Sequence, residues 1–185
     1  MLVIRSALLV GMLFVAGCTT NQLHFASYNT EEELSKIRNT PTDVEVVEIS
    51  GVERCTYCSE QSKIVWHAAN YNGSLYEGYS MVPVQDWDTL IRSALESRPD
   101  GKAKAKIEIK QIFLKTWNTP EYSACQVEIS VATGGVSSIG KSRVKIDRAG
   151  QSLPAKNIAL LDPSALQTVR LALKSAYLNS IRNLE

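Results

Sequence analysis

The feature that most constrains the fold of this 185-residue chain is the strict alternation of polar and apolar residues in its second half. Lys102-Ala-Lys-Ala-Lys-Ile-Glu-Ile-Lys110 alternates throughout, and so does Cys125-Gln-Val-Glu-Ile-Ser-Val131. Successive side chains of a strand point to opposite faces, so such runs fit strands with one face in a core and the other in water. Ser142-Arg-Val-Lys-Ile-Asp147 supplies a third run, joined to the second by a loop over Gly134–Gly140, and the three read as a meander. Upstream, Asp43–Val52 interleaves β-branched residues with carboxylates until Gly51 interrupts it, and Lys63–Tyr71 is a weaker extended stretch ending at the turn signal Asn72-Gly73.

Helical spacing marks two further segments. Pro83 opens one in which Val84, Trp87, Ile91, Ala94 and Leu95 share a face until Arg98-Pro-Asp-Gly101 stops it. The other starts with Asp162 as N-cap and Pro163 as first helical residue, and carries a stripe of Leu166, Val169, Leu173, Ala176, Tyr177 and Leu184. Thr30 and Glu33 form a capping-box pattern, enough for one or two helical turns in a polar stretch. The order of elements predicts an α+β fold: a largely antiparallel sheet of about five strands with two helices packed on one face, spanning residues 42–185 as a single domain.

The first residues have a signal-peptide layout: Arg5 is followed by the unbroken apolar run Ala7–Ala16, well short of the roughly 18 residues that a spanning helix wants. Its end, Val15-Ala16-Gly17-Cys18, resembles the lipobox of bacterial lipoproteins. The resemblance implies removal of residues 1–17, a lipidated Cys18 bearing acyl chains such as palmitate, and a polar tether over residues 18–41. Thr19 in place of an aspartate implies, by the same resemblance, forwarding to the outer membrane with the domain facing the periplasm. An ordinary secretory signal with an incidental Cys18 is the alternative.

Without residues 1–17, which hold one of the 20 Lys and Arg, 19 basic residues face 19 acidic ones. Such a balance argues neither for nucleic acid nor for a polybasic membrane-binding surface. Three cysteines remain, Cys55, Cys58 and Cys125, and an odd number leaves three pairings for a single intramolecular bridge. Joining Cys55 or Cys58 to Cys125 closes a loop of about 70 residues, worth about 4 kcal/mol by chain entropy.

Cys55-Thr-Tyr-Cys58 has redox-motif spacing, but Ser-Glu-Gln-Ser-Lys follows where an amphipathic helix would be needed, and no histidine follows Cys58 to permit haem attachment. A zinc site would have to recruit His67 or His24. Gly135-Val-Ser-Ser-Ile-Gly-Lys-Ser142 matches the phosphate-loop spacing and Ile158–Asp162 imitates its acidic strand, yet an alternating strand pattern follows where a helix is required, so no nucleotide is expected. No serine has a nucleophile-elbow context, and neither an enzyme nor a cofactor is expected. Trp66, Tyr71, Tyr76 and Tyr79 could form a partner surface or simply pack.

The order of strands and helices is similar to YajG-type outer-membrane lipoproteins and to auxiliary lipoproteins of ABC-type lipid transporters. Together these readings predict a non-enzymatic, membrane-tethered accessory or binding component of the cell envelope, with an envelope protein or lipid as partner. The alternative is a periplasmic thiol-redox or metal-handling protein using Cys55 and Cys58.

Overall fold

The computed structural model describes residues 28–52, 65–70, 76–79, 84, 86–118, 121–147 and 163–184. Its elements are α1 (Glu31–Asn39), β1 (Val44–Ser50), β2 (Val65–Asn70), β3 (Tyr76–Tyr79), α2 (Trp87–Ala94), β4 (Ala103–Asn118), β5 (Glu121–Thr133), β6 (Val136–Asp147) and α3 (Pro163–Arg182). The fold is α+β, but the sheet is mixed and holds six strands, in the order β3-β2-β4-β5-β6 with β1 paired to β4 off that path. Both β1 and β2 run parallel to β4. β1 pairs with Ala103–Glu108 and β2 with Ile112–Trp117, so two short strands lie in succession along one edge of a long one. Alternation reports a half-buried strand and is silent on its partner's direction, which is why the parallel pairings were not foreseen.

Two bulges adjust this arrangement. Val47 is the extra residue between Val46 and Glu48, which explains why so large an apolar side chain is 44% exposed. Lys110 is the extra residue between Ile109 and Gln111, and it reverses the pattern of burial. Ala105, Ile107 and Ile109 are buried before it, Ile112, Leu114 and Thr116 after it. Gly51 lies against this point with φ 96°, where a Cβ would sit 2.3 Å from the Ile109 carbonyl oxygen.

The expected Gly134–Gly140 loop is a two-residue turn. Thr133 pairs with Val136, and Gly134 and Gly135 take the positive φ values that such a turn requires. The phosphate-loop-like segment is therefore mostly strand β6.

Among the described residues three helices, not two, cover one face of the sheet. Leu34 and Ile37 of α1, Leu90, Ile91 and Ala94 of α2, and Val169, Leu173 and Tyr177 of α3 share a core with the inward residues of β1, β4 and β5. The capping box of α1 is complete: the Thr30 amide donates to Glu33 Oε2 (2.7 Å) and the Glu33 amide donates to Thr30 Oγ1 (3.2 Å). Residues 30–39 thus belong to the packed unit, although the polarity of the stretch assigned them to a tether. Helix α2 begins at Trp87 with Asp86 as cap, later than Pro83 suggested; Asp162, the expected cap of α3, lies outside the described residues.

Helix α3 is buried on nearly every side at its middle, and Lys174 reaches across to its neighbours. Its side chain is only 5% exposed, and its ammonium donates to Glu96 (2.5 Å) and to the Arg38 carbonyl at the end of α1 (3.1 Å). On the opposite side, α3 comes so close to β6 that a Cβ on Gly140 would sit 1.9 Å from the Ala176 carbonyl oxygen. Ser142 Oγ donates to the Ala172 carbonyl (2.6 Å) at the same seam.

Gly140→Ala should cost about 1–3 kcal/mol by overpacking this seam. Gly134→Asn, at an open position with a residue type that tolerates left-handed backbone, should stay within about 0.5 kcal/mol. Urea denaturation of the two variants checks the contrast. Lys174→Met should lower stability by about 1–3 kcal/mol, because the Arg38 carbonyl loses its buried donor; recovery of wild-type stability in that variant would show the contact to be dispensable.

Candidate functional site

The face of the sheet away from the helices is lined by charged residues of the alternating strands. Its described carboxylates each pair with a lysine: Glu45 with Lys104 (3.4 Å), Glu48 with Lys106 (2.7 Å), Glu108 with Lys110 (2.6 Å), Glu128 with Lys141 (2.9 Å) and Asp147 with Lys145 (2.8 Å). Lys115 and Arg143 add two further cations. Lys115 stands 5.5 Å from the Tyr122 ring centroid, and Lys145 stands 5.1 Å from it. Arg143 Nε donates to Gln126 Oε1 (3.1 Å), and Gln126 in turn donates to Gln111 (3.0 Å).

One end of this face is aromatic. Phe113 and Ala124 are buried there in a small cluster of their own, with Tyr28 and Tyr122 packed against it. The register places Trp66 beside Phe113, and sets Tyr76, Asn70, Trp117 and Tyr122 in one row across β3, β2, β4 and β5. Of the aromatic positions singled out in the sequence, Trp66 and Tyr76 thus fall into rows with Phe113 and Tyr122. Tyr79 pairs instead with His67, in the row of buried Leu114 and Cys125, and Tyr71 lies outside the described residues. Phe113 and Trp117 were missed because the bulge at Lys110 ended the apparent alternation. Their spacing with Lys115 between them repeats the strand period and was the available signal.

The described residues begin on this face. Tyr28 packs on the Phe113 cluster, and the Asn29 amide then donates to the Arg143 carbonyl (3.1 Å) at the β6 edge before α1 begins on the helix side. A groove of about 390 Å³ follows this crossing, lined by Tyr28, Asn29, Glu33, Glu128, Lys141 and Arg143 among others. Burial raises the Tyr28 phenol to about 12; the neighbouring Tyr122 adds to the shift and Arg143 opposes it. Asn179 of α3 and Asn183 just beyond its end donate to the Lys141 and Ile139 carbonyls (2.8 and 3.2 Å), so three carbonyls in alternation along β6 are occupied.

Cys125 holds a free thiol, fully buried, and burial pushes its pKa well above the ordinary value. Cys18, Cys55, Cys58 and His24 lie outside the described residues, and His67 is placed only by its backbone in β2. Among the described residues, no three His, Cys, Asp or Glu side chains are grouped to hold a metal ion.

Two tyrosines should titrate late. Phenolate absorbance should show Tyr28 and Tyr177, both raised to about 12 chiefly by burial, ionising above the ordinary 10.0, and Tyr28→Phe should remove one of them. The neutral phenol is the form the fold favours. Its contribution is fully present below about pH 10 and is lost as the pH rises toward about 12.

No protein-family model and no curated protein matches the chain. Among solved structures, it is similar to the crystal structure of an uncharacterised protein at 8% identity and TM-score 0.36, covering 77% of this chain and 91% of that one.

Proposed function

We propose that the chain is a non-enzymatic, lipid-tethered domain of the bacterial cell envelope, held at the outer membrane by acyl chains on Cys18, facing the periplasm and binding another envelope component. The reading starts from the lipobox-like Val15–Cys18 and from the polar residues after it. The observation that carries it furthest is the place where the described residues begin. Tyr28 and Asn29 are fixed on the outer face of the sheet and its β6 edge, ten positions after Cys18. Ten residues reach at most about 35 Å, so an acylated Cys18 would keep the domain within about its own width of the bilayer. Among the described residues, no helix is long and apolar enough to cross a membrane. A YajG-like or transporter-auxiliary role is consistent with the α+β fold and rests on that likeness alone.

The test is intact mass and fractionation of the protein made in a Gram-negative host. A mature N-terminus at Cys18 carrying acyl chains, with Cys18→Ala washed from outer membranes by high salt, is the expected result. An unacylated mature chain would overturn the anchor.

A further inference from the structure

Resting on that tethered reading, we propose that residues 28–41 are a releasable strap: α1 comes away from α3 while the sheet, α2 and α3 stay folded, and the tether lengthens. The segment passes around the β6 edge from one face of the sheet to the other, and little holds it there. Of the nine residues of α1, only Leu34 and Ile37 are buried. Its described ion pairs, Lys36 with Glu32 and Arg38 with Glu31 (both 2.7 Å), lie within the helix itself. Hydrogen bonds tie it to the rest of the fold at its two ends: the Asn29 amide donates to the Arg143 carbonyl (3.1 Å), and Lys174 donates to the Arg38 carbonyl (3.1 Å).

Grooves follow the seam. Beside the groove at Tyr28 and Asn29, one of about 420 Å³ is lined by Lys36 and Ile37 on one side and by Ser175 and Leu178 of α3 on the other, and one of about 190 Å³ lies between Arg38 and Arg170. Interiors are packed as densely as organic crystals, so a helix bordered in this way forfeits contacts and belongs to the part of a fold that opens first. What stays behind is complete. Just past the exposed Pro41, the buried Thr42 donates its hydroxyl to the Leu95 carbonyl, and Asp43 pairs with Arg98 and Lys102 (2.9 and 3.0 Å), so β1 is fastened without help from α1. Release strands no buried charge either, because Lys174 keeps Glu96 (2.5 Å). Nine residues are too few for a helix to persist alone in water, so the released segment becomes extended chain. The length between anchor and folded unit then grows from ten positions, Cys18 to Tyr28, to twenty-four, Cys18 to Thr42. Its greatest reach grows from about 35 Å to about 80 Å.

The experiment is hydrogen exchange read by mass spectrometry on the full mature protein in detergent, with two conservative substitutions of buried residues. Ile37→Val thins the seat of α1 and should speed exchange of the α1 amides about fivefold, the effect of deleting one buried methylene. Ile129→Val thins β5 and should speed the β4 and β5 amides by a similar factor while leaving α1 unchanged, because the strap opens without the sheet. Acceleration of α1 by Ile129→Val would overturn the proposal by making α1 one cooperative unit with the sheet. So would α1 amides indifferent to Ile37→Val, since these exchange by fraying in place. The mass of the N-terminal peptide reports the anchor separately: an acylated Cys18 makes the released segment a longer tether, whereas an unacylated Cys18 would sink the tethered reading and leave the exchange pattern to decide whether α1 opens alone.

Discussion

Strand β4 is the member on which the other elements depend, because one strand of 16 residues serves three partners. Antiparallel β5 occupies one edge for most of its length, while β1 and β2 divide the other. The division falls at Lys110, where the bulge turns the inward face over to the next register, and at Gly51, whose missing Cβ lets the end of β1 press on Ile109. Two parallel neighbours on one edge cannot be joined to β4 by a tight turn, so the chain must leave the sheet and return. Helix α2 lies on that return path, and its placement closes the core over β1.

Much of this was legible in the residues. The three alternating runs are strands β4, β5 and β6 in the meander they implied, the last helix begins at Pro163, and the Thr30–Glu33 pattern is a real capping box. The hidden parts have identifiable causes. A bulge breaks the period that the eye follows, which concealed residues 111–118. Parallel pairing is a tertiary property, invisible to a pattern that reports burial alone. Polar Glu31, Glu32 and Lys36 made α1 look like tether because only Leu34 and Ile37 of that helix are buried. The candidate surface was half visible: Trp66 and Tyr76 stood out in sequence, whereas their neighbours Phe113, Trp117 and Tyr122 come together only through the register of strands far apart in the chain.

The net charge shows how composition can mislead about surfaces. A chain with matched numbers of acids and bases has no reason to be basic anywhere, yet a sheet separates its residues by parity. Lysines and carboxylates placed at outward positions neutralise one another within and across strands. Cross-strand ion pairs on an exposed face are each worth little in stability. Two lysines, Lys115 and Lys145, stand beside the ring of Tyr122.

The seam between α3 and β6 also bears on how the molecule is made. The donors that occupy the carbonyls of Ile139, Lys141 and Arg143 come from Asn183, Asn179 and Asn29, at the two extremes of the described chain. While a nascent chain lacks its last twenty residues, β6 can pair with β5 but presents an open strand edge to any neighbour. The hazard ends only when α3 docks, with Gly140 and Ser142 admitting it to within contact of the strand. The same helix that completes the core therefore also covers the β6 edge, and a chain truncated before residue 179 would leave the Lys141 and Ile139 carbonyls without these donors.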